Sequence, residues 1–325
     1  MGMRGIITRL AAGVGLVALT ACSTGPASPV ISVIPQTRPE VMQPPEPVMI
    51  EPIVLTQTGD ADLRLFYKRL ENDLNVRGLL RTDGGGPDTR FTDSDLTRNF
   101  VRIALFDEYV VVNGALVARP TQAPLRKWAA PVRMNVEFGA SVPADQRAKD
   151  RATVQSYAAR LARVSGHAIA ASASNPNFHV LILNEADRLG AAPRIRQLMP
   201  GIEESSVRAI IGMPRDQLCI VVSAPARGSE NLSKAVAVIR GEHPDLLRKS
   251  CIHEELAQGL GLSNDSPAAR PSIFNDNEEF AFLTTHDELL LRMLYDPRLQ
   301  SGMTAEQAAP IARRIATELL GGSAS

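Results

Sequence analysis

The sequence is poor in aromatic residues and carries no excess charge, and each shortage excludes a class of protein. Aromatic residues make up 4% of the 325 residues, so the core must be aliphatic, and the 44% hydrophobic content is enough for one. The formal net charge is +0, from 35 basic and 35 acidic side chains. Since no basic cluster is interleaved with aromatic residues, the chain lacks the features of a nucleic-acid-binding protein.

A hydrophobic run near the N-terminus, residues 10–21, is too short to span a membrane comfortably. Arg4 and Arg9 give the segment around its start a positive charge. A short apolar run after a basic start has the proportions of an export signal. We therefore expect residues 1–21 to be a signal peptide.

This run ends in the sequence LTAC at residues 19–22. The ending resembles the lipobox of bacterial lipoproteins, in which a leucine and two small residues precede an obligatory cysteine. The resemblance implies that Cys22 is lipidated and anchors the mature protein in the membrane, where each buried methylene contributes about 0.8 kcal/mol. Ser23 in the next position implies the periplasmic side of the outer membrane. An ordinary secretory signal followed by a chance cysteine is the alternative.

Proline is concentrated in residues 22–58, which hold eight of the 23 prolines of the chain and show no helical or strand periodicity. Proline removes backbone donors and favours extended conformations. We expect this segment to be a semi-rigid tether between the lipid and the folded part of the protein.

Two cysteines remain once Cys22 is assigned to the lipid. Cys219 lies in a predicted strand, and Cys251 lies within a predicted helix, just ahead of its acidic pair. Disulfides persist in exported proteins, so we predict a bridge that fixes the helix to the sheet. Two buried free thiols are the alternative, because the sequence does not give the distance between the two α-carbons.

The folded part divides by pattern at about residue 131. Residues 59–131 predict a small helical subdomain, with a helix at 60–76, a second helix capped by Thr92 and a short hairpin around Asn113-Gly114. Residues 132–325 alternate between strand and helix patterns and predict an α+β domain. Its predicted strands are 132–138, 178–183, 218–223 and 234–239, and its predicted helices are 144–165, 245–260 and 307–320.

Residues 254–264, EELAQGLGLSN, have the spacing of the metal-binding helix of a zinc protease without its histidines. Positions i and i+4 share one helix face, so Glu254 and Gln258 lie side by side. If His253 were the first metal ligand, the second would stand four residues later at Ala257, which has no ligand atom. This alignment of the motif is therefore excluded. His253 is predicted to be a helix-surface or packing histidine.

This pattern resembles the metzincin motif His-Glu-x-x-His-x-x-Gly-x-x-His of the zincin peptidases. The resemblance implies that Glu254, Gln258 and Asn264 occupy the three zinc-ligand positions. It likewise implies that Glu255 keeps the position of the general base and that Phe274 occupies the turn beneath the site. The implied fold is a zincin-like mixed sheet with one long helix and one motif-bearing helix.

The same region is similar to an uncharacterised bacterial lipoprotein family, known as the domain of unknown function 2927. The similarity rests on residues 251–265, on PSIFND at 271–276 and on LYDP at 294–297. It implies an envelope location and supplies no established activity.

The donor set at residues 254, 258 and 264 is poor for zinc, which prefers imidazole and thiolate ligands. We predict a metal-free polar cluster in which the amides of Gln258 and Asn264 donate to the Glu254 carboxylate. The alternative is a site for calcium, manganese or zinc, completed by oxygens from Asp265, Asn275 and Asp276. A third interpretation is that Glu254 and Gln258 are solvent-exposed neighbours at positions i and i+4 of a helix and form no binding site.

The function predicted from the sequence is therefore a non-catalytic envelope lipoprotein that binds or scaffolds, without a metal or cofactor. Its expected ligand is a peptide or an envelope component laid in the former substrate cleft. The alternative is a metal-dependent, peptidase-like hydrolase with oxygen ligands, in which Glu255 is the catalytic base.

Overall fold

The computed structural model describes residues 59–113 and 115–321. The predicted signal peptide, Cys22 and the whole predicted tether lie outside these residues. Among the helices of the described part, none combines the length and hydrophobicity needed to cross a membrane.

Helices and strands alternate along most of the described chain. The helices are α1 (Asp60–Val76), α2 (Asp93–Ala104), α3 (Ala144–Ser165), α4 (Glu185–Leu189), α5 (Ala192–Leu198), α6 (Glu204–Ile211), α7 (Asp245–Gln258), α8 (Thr285–Tyr295) and α9 (Ala305–Leu319). The strands are β1 (Phe106–Val112), β2 (Ala115–Gln122), β3 (Lys127–Trp128), β4 (Val132–Phe138), β5 (Ile169–Ala171), β6 (Phe178–Leu183), β7 (Cys219–Pro225) and β8 (Asn231–Arg240).

The main sheet is mostly parallel and has the order β3-β8-β6-β4-β5, with β7 added to β8. Strand β6 and residues 235–239 of β8 are mostly apolar and are buried on both faces, as expected for the centre of a parallel sheet. They pair in parallel from Phe178 opposite Ala235 to Leu183 opposite Arg240. Strand β7 alone runs antiparallel, and it pairs with β8 from Cys219 opposite Ile239. The predicted α+β class is confirmed.

Two hydrophobic cores cover the two faces of the sheet. The larger contains side chains of α2, α3, α7, α8 and α9 together with one face of the strands. The smaller is built by α5 and α6 against the other face, where Ile195, Val207 and Ile210 meet Val236 and Val238. Helix α1 contributes a third cluster beside the start of α7. Helix α7 therefore packs on the face of the sheet that the larger core covers.

Several helix ends are fixed by local capping residues, among them Thr92, the predicted cap of α2. Thr92 and Asp95 form a reciprocal capping box at the start of α2. Gly166 ends α3 in the left-handed conformation, at φ 70°. Thr284 and Asp287 form a second capping box at the start of α8.

Residues 59–131 share their packing with the rest of the chain. The hairpin predicted around Asn113-Gly114 is present as β1 and β2, and the short strand β3 joins the main sheet beside β8. Trp128 is buried, stacks on Phe178 and donates from Nε1 to the carbonyl of Gly259 at 2.9 Å. The described part of this segment is thus one wall of the same compact unit as the residues that follow it.

Candidate functional site: an acidic cavity

Helix α7 supplies the first residues of the site, and a disulfide fixes the position of this helix. Cys251 is bonded to Cys219 at the start of β7, with 5.9 Å between the α-carbons, so the predicted bridge is confirmed. The bond holds β7 beside the last two turns of α7. Those turns present Glu254, Glu255 and Gln258 to the space between the helix and the strand.

A glycine turn after α7 carries the chain to the next ligand. Gly261 adopts φ 121°, and a β-carbon there would lie 2.1 Å from the carbonyl oxygen of Arg126. Only glycine fits this close approach. The chain then reverses, and Asp265 enters the site while Asn264 turns away from it. The chain therefore turns at Gly261, which stands at the glycine position of the motif.

The turn at residues 272–276 brings a third acidic residue to the site, and Asp287 holds that turn. The Asp287 carboxylate accepts hydrogen bonds from the Ser272 hydroxyl at 2.5 Å and from the Ile273 amide at 3.0 Å. Phe274 is fully buried in the larger core. Asp276 follows at φ 60°, a left-handed conformation that aspartate tolerates better than most residues. The buried Phe274 side chain and the hydrogen bonds to Asp287 thus hold the turn in place, and the turn holds Asp276 at the cavity in its left-handed conformation.

These segments enclose a cavity of about 170 Å³ beside β7. Acidic residues dominate its walls: Glu108, Asp216, Glu254, Glu255, Asp265, Asp276 and Glu278. Within the described part of the chain, none of the lining residues is lysine, arginine or histidine. The carboxylates therefore face one another without a neighbouring cation.

Three of these carboxylates converge. One oxygen each from Glu254, Asp265 and Asp276 lies within 4.8 Å of the other two. The Gln258 side-chain amide donates to Asp265 Oδ1 at 3.2 Å and orients it. Glu255 is 4% exposed, lines the same cavity, and its Oε2 lacks a hydrogen-bond partner among the described residues.

Burial and mutual repulsion penalise the ionised forms of this cluster. Burial raises the pKa of the Glu254 carboxyl well above its usual value, and the neighbouring Glu255 and Asp265 raise it further. Burial, followed by the charges of Glu108 and Asp265, does the same for Glu255. Burial and then Asp276 raise the pKa of Asp265. Glu108, from the hairpin, has its pKa raised by burial to about 7.

The predicted hydrogen bonds to Glu254 are wrong. The Gln258 amide donates to Asp265 instead. Asn264 is fully buried outside the cavity lining, and its amide donates to the carbonyls of Arg102 and Asp265 at 2.9 and 2.8 Å. Asn264 is therefore a structural tie between the motif loop and α2, because the tight turn at Gly261 rotates it away from the cavity.

Two further predicted residues also have structural roles. The amide of Asn275, weighed as an extra oxygen ligand, donates to the Ala269 carbonyl at 2.6 Å, and this residue is not part of the cavity lining. His253 packs against Tyr157 and Phe282, and its Nδ1 accepts from the Leu283 amide at 3.1 Å. His253 is thus a packing residue, as predicted.

The donor set does not fit the zinc ion of a zincin. Zinc sites in proteins are built mainly from imidazole and thiolate. Here the converging atoms are carboxylate oxygens, and Cys219, whose sulfur lies near Glu254 and Glu255, is already used in the disulfide. The cavity therefore offers hard oxygen donors only.

A second cavity of about 210 Å³ continues along β7 and shares five lining residues with the first. Ile220 and Val221 line both cavities, and Val222, Ser223 and Pro225 line the second. Among the described strands, β7 pairs with β8 alone. The free edge of β7 thus runs past both cavities.

Sequence reasoning missed Glu108, which lies outside the motif on β1 and reaches the cavity only through the fold of the hairpin. Asp265 and Asp276 were weighed only as additional oxygens. The sequence signal for Asp265 was its position next to Asn264 in the motif, and the signal for Asp276 was its position shortly after Phe274.

The chain matches the sequence profile of a family described as protein of unknown function (DUF2927) over residues 93–314, which is more than half of its length. This range contains every residue of the acidic cavity. No curated protein and no solved structure shows a significant match.

Proposed function

The chain belongs to the family described as protein of unknown function (DUF2927). Since this description gives no activity, we propose a function from the geometry of β7 and the two cavities beside it. The protein is a lipid-anchored envelope protein that binds an extended peptide along β7, on a zincin-like scaffold. The observation that carries this proposal is the free edge of β7 beside two connected cavities.

An edge strand offers a row of unpaired backbone donors and acceptors, and an extended peptide can pair with them as an additional strand. Side chains of such a peptide alternate between the two faces of the sheet, so every second one can enter a cavity. The residues from Val221 to Ala224 are only half-buried, which leaves this edge accessible. The antiparallel edge strand and the motif-bearing helix behind it support the zincin-like assignment.

Substitution at the edge tests peptide binding. Ser223→Lys places a charged side chain in the second cavity, where Ser223 is half-buried, and edge lysines oppose strand addition. We expect fluorescence polarisation to detect binding of peptides from a panel of labelled extended heptapeptides by the wild-type chain. The Ser223→Lys variant should lose this binding.

Ser174→Lys is the matched control, because Ser174 is exposed in the turn between β5 and β6, away from both cavities. It should bind like the wild type. Equal binding by the Ser223 and Ser174 variants, or no binding of any peptide by the wild type, would contradict the proposal.

The anchor has a separate test. The lipobox-like ending at Cys22 supports lipidation of this residue. Without the lipid at Cys22, the chain should be released from the membrane. Cys22→Ala should therefore move the protein from the membrane fraction to the soluble fraction of the envelope. Continued membrane association of this variant would refute the anchor and leave the cleft proposal intact.

A second candidate function is peptide hydrolysis. It is favoured by one observation, the buried Glu255 carboxylate with an unpartnered oxygen in the cavity. In its ionised form this carboxylate is suited to take a proton from an attacking water. Cleavage of quenched fluorescent peptides by the wild-type chain, abolished in Glu255→Gln, would establish this activity in place of simple binding.

A further inference from the structure

The acidic cavity has a feature that peptide binding does not explain. Its three converging carboxylates come from three separate segments: α7, the loop after Gly261 and the turn held by Asp287. The fold has to bring these segments together against electrostatic repulsion. Asp265 is buried, Glu254 is half-buried and Asp276 is exposed. In its ionised form such a group is unfavourable unless a positive charge compensates it.

A second observation at the same cavity is independent of this cluster. Glu255 is 4% exposed, and its Oε2 has no hydrogen-bond donor within the described chain. A buried acceptor left without a partner costs about 1–3 kcal/mol, and more when it is charged. A bound cation beside the three carboxylates would stabilise this oxygen as well.

The chemistry of the donors restricts the identity of the cation. All converging atoms are carboxylate oxygens, which suit hard cations such as calcium and manganese. Three oxygens within 4.8 Å of one another can surround a single ion, and the cavity of about 170 Å³ leaves room for water molecules to complete its coordination.

We propose that Glu254, Asp265 and Asp276 hold a hard divalent cation, calcium or manganese, in the acidic cavity. Glu255 faces the ion from the same cavity, and Gln258 positions Asp265 through its hydrogen bond. The ion offsets the repulsion among the carboxylates and joins α7 to the two loops that follow it. This inference goes beyond the peptide-binding proposal and does not depend on it.

The test uses the full-length chain, stripped of metal with a chelator and then titrated with Ca²⁺, Mn²⁺ or Zn²⁺. We expect Ca²⁺ or Mn²⁺ to bind at one ion per chain by isothermal titration calorimetry and to raise the melting temperature. Asp265→Asn should weaken binding at least as much as the roughly 10–100-fold loss that follows removal of a supporting group. This variant keeps the size of the side chain and removes charge repulsion, so it should fold.

Asp216→Asn is the matched control. Asp216 lines the same cavity but is exposed and lies outside the group of three converging carboxylates. This variant should bind the cation as the wild type does. Absence of any cation-dependent change in the wild type, binding of Zn²⁺ alone, or equal losses in the Asp216 and Asp265 variants would each overturn the proposal. Peptide binding by the metal-free chain is measured separately, so the two proposals can fail independently.

Discussion

Helix α7 carries two buried charged regions that differ in how their charges are compensated. Two turns before the acidic cavity, Arg248 is buried and its Nε donates to both oxygens of Asp150 in α3, at 2.8 and 2.9 Å. Its Nη2 also donates to Asp245 at 2.7 Å. At the other end of the helix, Glu254 and Glu255 face further carboxylates and no cation within the described chain.

This difference separates a structural site from a candidate functional one. A buried ion pair joins α3 to α7, and each charged group there has its partner. The acidic cavity holds ionisable groups whose pKa values are raised by burial and by one another, which is typical of sites that bind or react. The charge of Arg248 is therefore paired, whereas the carboxylates of Glu254 and Glu255, at the other end of α7, are not paired with a cation within the described chain.

Breaking the paired region should have the largest effect. Asp150→Ala leaves Arg248 buried without its main partner, which should lower the free energy of unfolding by about 3–5 kcal/mol. Chemical denaturation of the full chain measures this loss. Asp145→Ala, in the exposed first turn of the same helix, is the control and should change stability by less than about 0.5 kcal/mol. Similar losses in both variants would show that the pair is not the structural tie.

Removing the disulfide should have the next largest effect and should act on the acidic region. The double variant Cys219→Ala and Cys251→Ala frees a loop with a sequence separation of 32 residues. Loss of a bridge of this kind costs about 2–4 kcal/mol. Hydrogen exchange should increase in β7 and the end of α7 but not at the Asp150–Arg248 pair. Reductant should weaken the wild type and leave the variant unchanged; an unchanged wild type would contradict this prediction.

The stability of the metal-free chain should depend on pH through Glu108. Its folded-state pKa of about 7 lies above its ordinary value, so the folded state favours the neutral carboxyl. The resulting stability is fully present below pH 4.5 and is lost as the pH rises through about 7, an effect of about 3 kcal/mol. Denaturation between pH 4 and 8 should show this decline.

Glu108→Gln cannot ionise and should remove the contribution of Glu108 from the decline, while Glu254, Glu255 and Asp265, whose pKa values are also raised, supply the remainder. Glu204→Gln is its control, because Glu204 is exposed and its pKa is lowered by the hydrogen bond from Arg196. That variant should keep the wild-type slope between pH 5 and 8. A slope that does not change in Glu108→Gln would mean that Glu108 is not penalised in the folded state.

The smallest effect should come from one charge removed from the unpaired region. Glu255→Gln keeps the shape of the side chain and removes repulsion, so the metal-free chain should gain roughly 0.5–1 kcal/mol in stability. This gain has the opposite sign to the loss in Asp150→Ala, and the same denaturation experiment measures it. A destabilised Glu255→Gln variant would show that the ionised carboxylate supports the fold.

The elements of the fold were largely predictable where the pattern is local. The helices at 60–76 and 144–165 and the strands at 132–138 and 178–183 have the predicted bounds. Each depends on periodicity and end signals that lie within its own segment. Strands β3 and β5 were missed because they are short, and α4 to α6 were missed because 5–8-residue helices carry too few turns to establish a period.

The site was predictable only in part. The spacing within α7 predicted that Glu254 and Gln258 share a face, and both line the cavity. It could not give the rotation of the chain after Gly261, which buries Asn264 and presents Asp265 instead. That rotation depends on the close approach of the Arg126 carbonyl, from a segment more than a hundred residues away.

The sequence by itself determined the periodic helices and strands, the turn at Gly261 and the two cysteines that are able to bridge, because each follows from local geometry or from residue chemistry. Only the tertiary structure decided which carboxylates meet. Glu108, Asp265 and Asp276 are distant from one another in sequence or lie on loops, and their convergence depends on the packing of the hairpin, on the disulfide and on the turn held by Asp287.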